Sequence, residues 1–306
     1  MELFIQQLIN GITLGSIYAL ISLGYTLVYG ILLMINFAHS EIFMAGSYAG
    51  AFTLLGLQHS PLAGKINVWV LLAAFLLAFL LAALLGLLIE RAAYRPLRHA
   101  PRLSPLISAI GVSLLLQNTA MLAFGAQSMV FPSTGSIFEN RFLKLGPHIN
   151  ISLLQIIIIF TSIALMLILH LYVNRSRLGR AMRATSQDRE VAELMGVNTN
   201  YIIGLTFFIG AGLGGVAGML NGMYYGSIRY NMGFIPGIKA FTAAVLGGIG
   251  NLSGAMLGGY ILGIVEALAS GYISSQYKDV FAFIILILVL IFRPSGILGK
   301  HTPEKV

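Results

Sequence analysis

The stretch "NFAHSEIFMAGSYAG" occupies residues 36–50. Asn36, His39 and Glu41 stand close together in it, with "ILLMI" before them and "AFTLLGL" not far behind. Polar groups at the head of an apolar segment either cap a helix or face a cavity, because a charge left in hydrocarbon is costly. How this stretch is read therefore decides whether 36–57 is a plain membrane span or a segment that begins inside one.

The rest of the chain supplies the frame. Hydrophobic residues make up 58% of 306, and charged residues only 9%. A soluble domain carries about 25% charge, so no water-soluble core fits this composition. The chain reads as an all-α polytopic membrane protein. A net charge of +8 could suggest nucleic acid, but placement argues against it. Twelve of the eighteen Lys and Arg residues lie in segments 91–102, 175–189 and 293–305. Basic loops beside spans mark the cytoplasmic side, so the charge encodes topology and we expect no nucleic-acid partner.

A span needs roughly 20 mainly apolar residues. Such stretches run over about 5–32, 36–57, 68–89, 105–124, 151–173, 201–225 and 280–292. A Gly-rich stretch, 237–271, is too long for one plain span and reads as two segments broken near "GGIGN", 247–251. That makes eight or nine transmembrane helices. With loops 91–102 and 174–200 and the tail inside, and loop 126–150 outside, the N-terminus lies outside and the C-terminus is cytoplasmic. The N-terminus lacks a basic region and a small-residue cleavage site, so we expect no cleaved signal peptide.

The sequence also repeats itself. "YGILLMINFAHSEIFMAGSYAG" from Tyr29 resembles "YGSIRYNMGFIPGIKAFTAAVLGG" from Tyr225. Tyr29, Phe37, Phe43 and Ala45 match Tyr225, Phe234, Phe241 and Ala243 with small gaps. By the topology above the two copies run in opposite directions, an inverted internal repeat of the kind that places a transport pathway at the repeat interface. The chain then forms a single transmembrane domain over 1–306. Repeat 1 covers about 5–124, a connecting span and cytoplasmic loop about 151–200, and repeat 2 about 201–292.

Two patterns exclude chemistry. Gly210, Gly212 and Gly215 spell G-x-G-x-x-G, but no strand precedes them, so the dinucleotide reading fails. Gly210, Gly214, Gly218, Gly222 and Gly226 recur every four residues, as do Gly250, Gly254 and Gly258. That spacing lines one helix face and lets backbones pack closely. There is no P-loop, no H-E-x-x-H and no cysteine, and the histidines show no ligand spacing. We expect no metal site, no bound cofactor and no enzymatic activity in this chain.

The polar cluster can then be assigned. Asn36 reads as an N-cap, and Glu41 falls in the first turns, where the helix dipole favours it. Its repeat counterpart is close to Lys239, which the dipole disfavours unless paired. Glu41 and Lys239 are therefore expected to interact at the repeat interface, with Asn36, His39 and Glu266 along the same pathway. His39 reads as a packed, hydrogen-bonded residue and Glu266 as an inter-subunit contact. Gln117 and Asn118 read as interhelical hydrogen bonds, and Trp69 and Tyr172 as interfacial anchors.

Loop 174–200 reads "NRSRLGRAMRATSQDREVAELMGVNTN". Ala181, Ala184, Val191, Leu194 and Met195 form an apolar stripe at helical spacing, with Arg183, Asp188 and Glu190 among the charges around it. A loop that only sets topology needs no such stripe, whereas a partner groove would. "EVAELMG", 190–196, is similar to the E-A-A-x-x-x-G coupling loop of ABC importer permeases, with Val191 replacing the first alanine. Together with "NFAHSEIFMAGSYAG", "KAFTAAVLGGIGNLSGAMLGG" and "FRPSGILG", it makes the whole chain resemble the branched-chain amino acid (leucine/isoleucine/valine) permease family, H-type subunit.

The resemblance implies an inner-membrane importer for branched-chain amino acids, with this chain paired to a second permease subunit. It also implies two cytoplasmic ATP-binding subunits, which use ATP and Mg, and an extracytoplasmic substrate-binding protein. Arg180, Arg183, Asp188, Glu190, Ala192 and Gly196 would then couple to the ATPase. Relatives that move urea, amides or other amino acids, or a stand-alone channel or secondary transporter, are the alternatives.

Overall fold

A computed structural model describes residues 2–58, 68–98, 100–101, 103–132, 142–144 and 150–299. Arg102, residues 133–141 and 145–149 of loop 126–150, and the tail 300–306, which enter the orientation above, lie outside the described residues.

Eleven α-helices form among the described residues: α1 Glu2–Leu32, α2 His39–Gln58, α3 Val68–Ile89, α4 Leu103–Phe124, α5 Leu153–Arg175, α6 Arg177–Gln187, α7 Arg189–Leu194, α8 Thr199–Tyr225, α9 Phe234–Gly247, α10 Leu252–Tyr272 and α11 Lys278–Phe292. Two short ladders accompany them. Strand β1 (Met129–Val130) pairs with β4 (Ser227–Ile228), and β2 (Phe142–Lys144) with β3 (Asn150–Ser152).

Among the described residues, six helices are long and apolar enough to cross a bilayer: α1, α3 with its extension to Leu97, α4, α5, α8 and α10. The expectation of eight or nine counted three more segments, and each falls short for a visible reason. The 14 residues of α9 reach about 21 Å and the 15 of α11 about 22 Å, against a hydrocarbon core of about 30 Å. Helix α2 opens on His39, Ser40 and Glu41, which dilute its apolar character.

α1 and α8 form the buried centre. α1 runs antiparallel along α10: Gly11 faces Ile264, Gly15 faces Tyr260, and the Ser22 hydroxyl donates to the Ala255 carbonyl. α3 runs antiparallel along α8, with Gly86 against Ala211 and Gly215 against Ala78 and Ala82. α2 runs parallel to α8, with Phe43 beside Gly218 and Ser47 beside Gly222. α4 and α5 lie at the periphery with most of their surface uncovered.

Helix ends follow local chemistry. The Ser152 hydroxyl accepts from the Gln155 N–H while the Gln155 side chain accepts from the Ser152 N–H, a capping box that starts α5. The Asn198 side chain accepts from the Tyr201 N–H at the start of α8, and the helix stops at Gly226, whose φ of 66° is left-handed. Gly226 and Gly250 (φ 91°) therefore turn the chain rather than pack helices. The other glycines of the two four-residue series do meet neighbours: Gly210 faces Gly24, Gly214 faces His39, Gly254 faces Gly247 and Gly258 faces Ala243.

Candidate functional site

Two helix beginnings meet inside the bundle. The His39 ring lies against Gly24 of α1 and Gly214 of α8. Gly214 is roughly 22 Å along α8 from its first residue, so α2 starts within the thickness of the bundle, not at its edge. Gly233 and Gly237, at the start of α9, pack against Ser40, the second residue of α2. The open N-termini of α2 and α9 are thus neighbours.

Each polar residue of the opening stretch has a defined place. Asn36 does not cap α2 through its side chain. Its backbone carbonyl accepts from the His39 N–H, while its side-chain oxygen accepts from the Tyr94 hydroxyl at 2.8 Å. His39 is buried edge-on against Tyr25, with ring centroids 4.8 Å apart, and its Nε2 has no hydrogen-bond partner among the described residues. Glu41 is fully buried. One carboxylate oxygen accepts from the Gln117 amide at 2.8 Å and from the Ser113 and Ser40 hydroxyls, each at 3.2 Å. Its other oxygen has no partner among the described residues.

Glu41 and Lys239 do not pair. Lys239 binds Glu266 at 2.7 Å and Asp279 at 2.5 Å, and its ammonium sits 5.7 Å from the centre of the Tyr18 ring. The Tyr18 hydroxyl donates to Glu266 at 2.9 Å. This cluster ties α1, α9, α10 and α11 together, so Glu266 is spent inside the chain rather than on a second subunit. Proximity explains the outcome: antiparallel packing of α9 on α10 brings Lys239 to Glu266, while Glu41 turns toward α4. Asp279, Tyr18, Tyr94 and Ser113 carried no signal in the sequence. Gln117 does bond between helices, but Asn118 donates to the Leu114 carbonyl of its own helix.

A cleft of about 650 Å³ opens where α4 passes the two N-termini. Ser40, Ser113, Gln117 and Asn231 give it polar points, and Ile110, Leu114, Ile235 and Ile238 make its walls aliphatic.

A second site lies on the loop after α5. The Ser176 hydroxyl caps α6 by accepting from the Gly179 N–H, and Asp188 caps α7 by accepting from the Val191 N–H at 3.0 Å. Arg183 donates to the Val173 carbonyl, which fastens α6 to the end of α5. Ala192 faces inward and Gly196 ends the turn with a φ of 83°. Arg180 and Glu190 are exposed. Leu194 and Met195 are 86% and 80% exposed, and Val191 is exposed beside them. The Val191, Leu194 and Met195 part of the apolar stripe therefore points away from the protein, while Ala181 packs against the core.

This loop connects to the first site. Arg98 forms an ion pair with the buried Glu90 and donates to Asn200, in the first turn of α8, at 2.5 Å. Burial pushes the Arg98 guanidinium below its ordinary value, and the Glu90 carboxylate opposes that shift. Between Glu90 and Tyr94 the helix widens to a π-turn, a feature frequent at functional sites. Tyr94 then reaches Asn36. The described residues hold no group of three or more metal-ligating side chains.

Known sequences match this chain along almost its whole length. Residues 7–290 fit the family model of the branched-chain amino acid transport system permease component. The high-affinity branched-chain amino acid transport system permease protein BraD of Pseudomonas aeruginosa is 50% identical, over 99% of this chain and 98% of its own. The corresponding LivH of Escherichia coli K12 is 49% identical over the same shares. A probable LivH from Methanocaldococcus jannaschii is 28% identical over 95% of this chain and 91% of its own. No solved structure matches the chain. Apolar helices, an interrupted pair of helix starts and a near full-length match lead to one assignment: the chain belongs to the family of branched-chain amino acid transport permease components.

Proposed function

We propose that this chain is a transmembrane permease subunit of an ATP-driven importer for branched-chain amino acids. A second permease subunit completes the pathway, two cytoplasmic ATP-binding subunits supply the work from ATP and Mg, and an extracytoplasmic binding protein delivers the substrate. The observation that carries the reading is the exposed apolar surface of Val191, Leu194 and Met195, in a family of transport permeases and in a chain without a P-loop. A fixed helix with an uncovered apolar face fits a groove on another protein.

Within this reading the chain contains an inverted repeat. α1, α2 and α3 form one arm, and α8, α9 and α10 the other. Support comes from reciprocity: the first helix of each arm packs antiparallel on the third helix of the other. In each arm the middle helix starts at the shared meeting point. Counted with the half-helices α2 and α9, which start within the bundle, and the short α11, the six long spans make nine membrane segments. The Arg98–Asn200 bond holds loop 91–102 beside loop 174–200, in keeping with one cytoplasmic face, and the C-terminus belongs on that face too.

The test is co-purification. The tagged chain, extracted gently from its membrane, brings down ATPase subunits and a second permease. Leu194→Glu with Met195→Glu removes the ATPases and keeps the permease. A chain that arrives alone and passes solute without ATP refutes the importer and leaves a self-sufficient channel.

A further inference from the structure

We propose that the cleft between α4 and the start of α9 holds the transported amino acid itself. Its ammonium group lies against the Gln117 amide, with the Glu41 carboxylate behind it, and its branched side chain against Ile110, Leu114, Ile235 and Ile238. The inference rests on the importer reading and deepens it by naming where the substrate is recognised within the membrane.

Size comes first. The cleft holds about 650 Å³, inside the range of about 300–1,000 Å³ usual for small-molecule sites. Its aliphatic walls and few polar points match a small molecule with one branched apolar end and one charged end.

Charge makes the argument specific. Glu41 is fully buried, yet no Lys, Arg or His pairs with it among the described residues. Its free oxygen has no partner among the described residues. An unpaired carboxylate inside a membrane protein needs a cation or a proton. All three of its hydrogen-bond donors, Ser40, Ser113 and Gln117, line the cleft, so the carboxylate forms the layer behind that wall. Gln117 gives its amide N–H to Glu41, which fixes the amide plane and leaves its carbonyl oxygen to accept from an ammonium group in the cleft.

The opposite end offers a place for the substrate carboxylate. Phe234 and Ile235, the first two residues of α9, line the cleft, and no side chain caps this helix start. The Phe234 N–H donates to the Asn231 carbonyl, the Gly237 N–H to the Gly233 carbonyl and Pro236 has none, so the Ile235 N–H and the positive end of the helix dipole are what favour an anion there. A zwitterionic amino acid satisfies both ends. A neutral solute satisfies neither, and an amine without a carboxylate satisfies only Glu41.

The chain has no cysteine, so Leu114→Cys gives it a single thiol in the cleft wall. In the complete complex, the rate of labelling of this thiol by N-ethylmaleimide is measured with and without leucine. Leucine slows labelling at least fivefold, and 4-methylpentanoate, which lacks the ammonium group, does not. In L114C/E41Q the protection by leucine disappears. Because E41Q removes a buried partner, Ile110→Trp is a second variant: it fills the cleft without contacting Glu41 and abolishes both protection and uptake in an assembled complex. Equal protection with and without Glu41, protection by 4-methylpentanoate, or unchanged uptake in I110W overturns the site. An assembled, importing complex with no protection refutes the site alone, while failure to assemble and to import leucine refutes the importer reading beneath it.

Discussion

Lys239 shows how a single residue can be read correctly as anomalous and yet be given the wrong partner. A cation five residues into a helix, deep in an apolar chain, needs a counter-charge, and that much is legible from the sequence. The partner is not, because it depends on which helix lies alongside. Packing of α9 on α10 brings in Glu266, and the start of α11 adds Asp279. Removing one partner of a buried ion pair costs about 3–5 kcal/mol, whereas replacing both by apolar groups is often neutral. Lys239→Met therefore lowers the thermal unfolding midpoint of the purified complex by several degrees. K239M/E266M recovers most of the loss, since Asp279 reaches water. A double variant worse than either single change would show that the cluster works in transport rather than in folding. Asn36 teaches the same lesson: its residue type suits an N-cap, but Tyr94 claims the side chain.

At the level of elements, glycine spacing indicated close packing, and the spacing alone could not say which glycines turn the chain. Gly226 and Gly250 turn it because both sit where a helix must stop. Gly218 is different. A Cβ there would overlap the Phe43 carbonyl oxygen, and backbone cannot step aside as a flexible side chain can. Gly218→Leu separates α2 from α8 and abolishes assembly, read as loss of the monodisperse complex on gel filtration. The path from loop 174–200 to the start of α2 runs through Arg98, Glu90, the π-turn and Tyr94. If that path transmits ATPase movement, Tyr94→Phe leaves basal ATP hydrolysis unchanged and lowers its stimulation by loaded binding protein several-fold. Equal stimulation in both proteins would show that the hydrogen bond only packs the loop. The amphipathic loop itself was legible because helical spacing of apolar residues survives without tertiary contacts. The π-turn was not, because nothing in "ERAAY" marks it.

At the level of the whole molecule, membrane class and family were plain from composition and motifs, while the number of spans was not. Hydropathy cannot separate a full crossing from a half-helix that begins within the bundle, and α2 and α9 are such cases. The proposed inverted arms imply a topology that chemistry can check. A single cysteine at Ser186, in the last turn of α6, labels only from the cytoplasmic side, and one at Ser227, in the β1–β4 ladder, only from outside. Labelling of both from one side would contradict the inverted arms.

The central claim is that this chain moves branched-chain amino acids only as part of an ATP-driven complex. The most direct measurement is uptake of radiolabelled leucine into proteoliposomes holding the purified complex, with binding protein outside and ATP with Mg inside. The account predicts accumulation that stops when ATP is replaced by a non-hydrolysable analogue and when L194E/M195E detaches the ATPases. Leucine entry that continues unchanged under both conditions would contradict it.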